Sequence, residues 1–216
     1  MVVREALEDC DSCPVGCRAC CRRIILPHQA KALTDKDTIV LADFTNTTGD
    51  SVFDDTLKQV LSVQLEQSPF LNLVSERKVN ETLKLMRRPA GDRLTPEVTR
   101  EVCQRTSSKA MLVGSIAGLG SQYVSGLKAV NCNTGDVLAE AQEQAAAKEA
   151  VLKALDNAAV RLRSKLGESL STVEKFDTSL EEATTPSLEA LKAYSLGVKT
   201  PIRKRPQPHC PSSSGL

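Results

Sequence analysis

Between residue 37 and about residue 172 the apolar positions fall into short runs and spaced stripes, separated by turn-forming clusters. The run DTIVLADF (Asp37–Phe44) is rich in β-formers and predicts a buried strand. TNTTGD follows as a turn-rich loop. Ser51, with Asp54 three residues on, then reads as a capping box. Phe53, Leu57, Val60, Leu61 and Leu65 recur at helical spacing and predict an amphipathic helix that Pro69 stops. Phe70–Ser75 reads as a second strand.

Ser75 is placed to cap a second helix with Val79, Leu83 and Met86 on its buried face. Arg87, Arg88 and Pro89 end it, with the cations at the negative end of its dipole. Thr95–Pro96–Glu97 combines a capping hydroxyl, a proline at the first helical position and an early acid, so a third helix is expected to run to about Thr106. Ala110–Gly118 and Gln122–Cys132 read as neighbouring strands. Asn133–Thr134–Gly135–Asp136 is a hairpin turn, and VLAEAQEQA alternates as a half-exposed strand does. A long helix beginning near Ala147 closes the unit, with Val151, Leu155, Ala158, Leu162 and Leu166 as its stripe. The order β-α-β-α-α-β-β-β-α implies an α/β fold in which helices pack on a mixed sheet.

Beyond that unit, residues 173–186 read as a polar linker. Residues 187–199 read as a separate short helix with Leu188, Leu191, Tyr194 and Val198 on its apolar side. Residues 200–216 carry four prolines and no periodicity, which predicts disorder. A helix of about 12 residues is marginal without packing. Residues 187–199 are therefore expected to fray or to self-associate weakly.

Composition narrows the function classes. With no Trp, two Tyr and four Phe, the core must be aliphatic, and 28 basic against 27 acidic residues leave a net charge of +1. That balance supplies no field to draw in nucleic acid or an anionic membrane. The chain holds no run of about 18 apolar residues, so no membrane span is expected. Its first 30 residues have no apolar signal core, and as written it carries no export or anchoring device, hence a cytoplasmic expectation. Five of the eight cysteines (Cys10, Cys13, Cys17, Cys20 and Cys21) crowd into residues 1–36, whereas only Cys103 and Cys132 lie in the globular stretch. That uneven distribution argues against a disulfide-stapled secreted domain.

Three long segments resemble a known family: DTIVLADFTNTTGDSVFDDTLKQVLSVQLEQSPFLNLVSE, LTPEVTREVCQRTSSKAMLVGSIAGLGSQYVSGLKAVNCNTGD and TTPSLEALKAYSLG. They look like the extracytoplasmic α/β domain of bacterial membrane-anchored serine/threonine protein kinases that end in tetratricopeptide repeats. The resemblance spans about residues 32–198. It implies a regulatory or sensor domain outside the membrane, with a protein partner. The element order is also similar to the amino-terminal domain of TolB. The chain has no VAIK-like lysine and no HRD or DFG sequence, so kinase activity does not carry over. Where that family has its membrane helix this chain has CDSCPVGCRACCRR, and where repeats follow it has a Pro/Arg/Ser tail. Both segments have the bias expected of GC-rich coding sequence read out of frame.

Candidate chemistry is sparse. Cys10, Cys13, Cys17 and Cys20 form two CxxC pairs, a ligand set suited to tetrahedral zinc. The three-residue gap between the pairs is shorter than in zinc ribbons, so an oxidisable segment is the competing reading. GSIAGLG (Gly114–Gly120) leads into a β-type run rather than a helix, and its glycines suit a hairpin better than a phosphate loop. Thr45, Asn46, Thr47, Thr48 and Gly49 follow the first strand, where open α/β sheets often place ligands. A capped turn is the simpler reading of the same residues. His28 and His209 lie in the tails, and Arg203–Lys204–Arg205 is too short a basic run to mark nucleic-acid binding. No cofactor is expected. The sequence favours a non-catalytic interaction module, with a small-ligand sensor as the alternative.

Overall fold

The computed structural model describes residues 33–34, 37–176, 178–185 and 187–199. Its centre is a mixed sheet built on three adjacent parallel strands. Strand β1 (Thr38–Leu41) lies between β3 (Asn72–Leu73) and β4 (Ala110–Leu119). From β4 the sheet continues as an antiparallel meander through β5 (Gln122–Asn131) and β6 (Val137–Ala145), giving the order β3-β1-β4-β5-β6. The short β2 (Thr45–Asn46) also pairs with β4, in parallel, through Thr45↔Ser115 and Asn46↔Ile116. The expected first strand is thus interrupted. Its backbone turns aside at Asp43, whose N–H donates to the Leu94 carbonyl, and then rejoins β4.

Between β1 and β3 the chain passes through α1 (Thr56–Glu66); between β3 and β4 it passes through α2 (Glu76–Leu85) and α3 (Pro96–Arg105). The two connections run in opposite directions across β1, so their helices fall on opposite faces of the sheet. On one face α1 and α4 (Val151–Leu166) bury Ile39, Leu41, Leu112, Ile116, Leu127 and Ala141. On the other, α2 and α3 bury Val40, Met111, Val130 and Cys132. Alternation along β4 and β5 supplies both cores, because successive side chains point to opposite faces.

Local signals explain most helix ends. The side chains of Ser75 and Thr95 cap α2 and α3, and Pro96 opens α3. Gly167, left-handed at φ 109°, closes α4. The capping box expected at Ser51 and Asp54 is absent. Asp50 instead caps a 3-10 turn, Ser51–Phe53, and α1 starts only at Thr56 after Asp55 at φ 52°. The nearer acceptor wins, because Asp50 reaches the Val52 N–H at 2.9 Å.

The expected linker and unpaired helix are packed rather than free. Three helices follow α4: α5 (Leu170–Lys175), α6 (Leu180–Ala183) and α7 (Leu188–Lys199). Leu180, Leu188 and Leu191 belong to the same core as α1 and α4, with Leu188 and Leu191 only 4% and 5% exposed. Helix α7 lies against α1 and the Ser51–Phe53 turn. Of the apolar side expected to invite self-association, Leu188 and Leu191 are covered by the chain itself, whereas Tyr194 stays 60% exposed. No helix among the described residues is long and apolar enough to cross a membrane.

Candidate functional site

The corner after β1 gathers the five loop residues named from sequence. Asn46 organises it. Its Nδ2 donates to the Asp50 carbonyl at 2.8 Å and to Asp54 Oδ1 at 2.9 Å. Its Oδ1 accepts from the Thr48 N–H at 3.0 Å and the Thr48 hydroxyl at 2.8 Å. A side-chain amide has two N–H groups and two acceptor positions, so Asn46 is fully used within the corner. Thr47 donates from both its N–H and its hydroxyl to the Ile116 carbonyl. The Thr48 hydroxyl accepts from the Asp50 N–H, and Gly49 sits at φ 80°, where a side chain would be strained. Thr45 is exposed and paired with Ser115.

Beside this corner lies a charged cluster with no local sequence signal. Lys148, 98 residues away, donates to Asp50 Oδ2 at 2.7 Å, and its ammonium stands 5.9 Å from the Phe53 ring centre. Glu189 of α7 approaches Lys148 at 3.8 Å, and Lys192 donates to the Ser51 hydroxyl at 2.9 Å. The Lys148 hydrogen bond, reinforced by the Val52 N–H, holds the Asp50 carboxyl below its usual range. The same bond holds the Lys148 ammonium above its usual range. Asp43 makes an ion pair with Lys58 and accepts from the Leu94 N–H at 2.7 Å, while Asp37 accepts from the N–H and hydroxyl of Thr34. Asp43 and Asp50, both past the end of β1, are thus each held by one cation and one backbone N–H, whereas Asp37 lies at the start of that strand.

Among the depressions of the described surface are two whose linings hold no residue of the Asn46 corner. One of about 280 Å³ is lined by Leu152, Lys153, Asp156, Asn157, Ser179 and Leu180. The other, of about 320 Å³, lies between α1 and the α6–α7 segment beside Val60, Val63, Leu191 and Tyr194. Among the described residues no three His, Cys, Asp or Glu side chains gather as metal ligands. Cys10, Cys13, Cys17 and Cys20 lie outside the described residues.

The glycine-rich run is a hairpin, as its sequence context implied. Leu119 pairs with Gln122, and Gly120 at φ 65° makes the reversal. Gly114 serves a second purpose. A Cβ there would come within 2.4–2.7 Å of the Phe44 ring, so only glycine lets that ring pack on β4.

Cys103 of α3 and Cys132, just past β5, form a disulfide across a Cα separation of 6.0 Å. Both stood out in the sequence as the two cysteines of the globular stretch. Their pairing was not legible there: the uneven cysteine distribution argued against a disulfide-stapled secreted domain, and the structure has one cross-link within the globular stretch. The reason is topological: α3 lies over β1 and β4, and the end of β5 runs alongside β4.

By architecture the chain is a mixed α/β module. No family model matches it, and no curated relative does. Several solved structures follow part of the same course. The LpoB C-terminal domain from Salmonella enterica is 16% identical, with 54% of this chain and 87% of that one covered and a TM-score of 0.49. Lipoprotein GNA1162 from Neisseria meningitidis is 15% identical, covering 50% and 78%, at a TM-score of 0.40. TolB from Acinetobacter baumannii is 13% identical, covering 64% of this chain and 30% of TolB, at 0.41.

Proposed function

We propose that this chain is a non-catalytic interaction module that docks a protein partner on the open half of its sheet. One observation carries the reading: the described helices cover one face of the sheet but only part of the other. Beyond Met111, Val130 and Cys132, the face shared with α2 and α3 continues as three rows across the meander. These rows are Val113–Lys128–Glu140, Ser115–Gly126–Gln142 and Ala117–Val124–Gln144. Ser115, Ala117, Glu140, Gln142 and Gln144 are exposed, and Leu119 at the hairpin tip is 69% exposed.

Ser115, Ala117 and Gly126 are short and exposed or half-buried, so this sheet face offers area rather than a deep pocket, which suits a protein better than a small molecule. Its two charges, Lys128 and Glu140, neutralise each other at 3.4 Å. A matching partner surface is therefore uncharged, with amide and hydroxyl groups for the glutamines and serine. The sequence resemblance supports a finer reading, that the module is the sensor part of a receptor-like serine/threonine kinase system. The alternative, a small-ligand sensor at Thr45–Gly49, draws support from the position of that corner after β1. A ligand there would have to displace bonds that Asn46 already makes.

A photo-crosslinking side chain at Ser115, with Lys153 on α4 as the exposed control, tests the docking reading in cells that make the full chain. A discrete cross-linked protein from position 115 and none from 153 is expected. Equal yields at both positions, or none at 115, would remove the docking surface.

A further inference from the structure

We propose that this module works in an oxidising compartment, where the Cys103–Cys132 disulfide is inserted during folding and locks α3 onto the sheet. Both half-cystines are fully buried, and α3 already holds the end of β5 by other bonds. Arg100 Nε and Gln104 Nε2 each donate to the Cys132 carbonyl at 3.0 Å, and Arg100 Nη2 donates to the Asn133 carbonyl at 3.1 Å. The Cys132 N–H donates to the Lys109 carbonyl. These contacts fix the backbone on both sides of the cross-link, so the two sulfurs meet without displacing either element. Their Cα separation of 6.0 Å lies within the usual range for such a bond.

The chemistry is thiol–disulfide exchange with a disulfide-bearing oxidant, either a thiol–disulfide oxidoreductase or oxidised glutathione. One cysteine thiolate attacks a sulfur of the oxidant, forming a mixed disulfide and releasing one thiol. The second cysteine thiolate then attacks the protein sulfur of that mixed disulfide and releases the other thiol. The two protein thiols lose two electrons and two protons, and one oxidant disulfide becomes two thiols. Burial dictates the timing: attack on the oxidant must precede the docking of α3 and ring closure accompanies it, because in the docked state neither sulfur meets solvent. A cross-link of this kind persists outside the reducing cytosol.

The test uses the full chain, reduced and unfolded, then refolded in two glutathione buffers poised like a secretory compartment and like the cytosol. Free thiols are blocked with a maleimide in denaturant, and cross-linked peptides are mapped by mass. A Cys103–Cys132 peptide pair is expected as the main product in the oxidising buffer and both thiols free in the reducing one. With a sequence separation of 29 between the partners, the linked form should melt about 10 °C above the reduced form. Pairing of Cys103 or Cys132 with another cysteine would overturn the proposal. So would free thiols in protein folded in the oxidising buffer, equal linkage in both buffers, or identical melting of the two forms.

Discussion

Glu168 shows how much one carboxylate can hold together. It accepts from Arg163 Nε at 2.9 Å and Nη2 at 3.0 Å, and from the Ser68 hydroxyl at 2.8 Å. The Ser68 hydroxyl accepts in turn from the Phe70 and Leu71 N–H groups. The end of α4 is thereby tied to the loop that carries the chain from α1 to β3. Arg163 and Glu168 are both buried, so neither charge is replaceable by water. Glu168→Ala strands the guanidinium in the core and should cost about 3–5 kcal/mol of unfolding free energy, read by urea titration. Thr47→Ala, which removes an exposed hydroxyl and one hydrogen bond, should cost about 1 kcal/mol or less. Equal costs would mean that the Arg163–Glu168 pair is not buried as described. Periodicity could not have found this pair, because a charged residue next to Leu162 reads as part of a solvated face.

At the scale of elements, α7 is joined to the loop before α1 by apolar packing and by ionic contacts. Leu188 and Leu191 supply the first; Lys192–Ser51 and the Asp50–Lys148–Glu189 group supply the second. The ionic part has a defined pH window. The lowered Asp50 pKa gives stability that is present above the ordinary carboxylate range and lost as pH falls through the lowered value. The raised Lys148 pKa gives stability that is present below the ordinary lysine range and lost as pH rises through the raised value. The tie is therefore intact near neutrality and weakens at both extremes. Both groups are partly solvated, so the effect should stay under about 1 kcal/mol and shrink in salt. Melting temperature against pH for wild type and Lys148→Met checks this: the acid limb should be shallower in the variant, and parallel curves would show the bond to be inert.

For the whole molecule, the consequence is that the α/β unit does not end where the periodicity weakens. A chain stopped at Phe176 loses Leu180, Leu188 and Leu191 from the core and uncovers α1. After the helix-ordering entropy is set against the lost burial, it should unfold in one transition at roughly 3 kcal/mol lower stability than a chain ending at Lys199. Calorimetry of the two decides it; identical melting would restore residues 187–199 to an independent helix. Among the described residues the far face of β4, β5 and β6 stays open, because the described helices after α3 pack on the α1 side.

Apart from β2, the order of strands and helices from Thr38 to Leu166 could be read from spacing alone, because alternation and helical stripes are local consequences of backbone geometry. Caps at Ser75 and Thr95, the reversal at Gly120 and the clustering of Thr45–Gly49 were legible for the same reason. What joined distant positions was decided only by the tertiary structure. The Cys103–Cys132 bond, the Asp50–Lys148 pair and the seat of Leu188 and Leu191 on α1 each depend on which surfaces the sheet brings together. Short apolar stretches carry no label for their partner. Residues 187–199 looked unpaired in sequence because a helical stripe shows that a face must be buried but not what buries it.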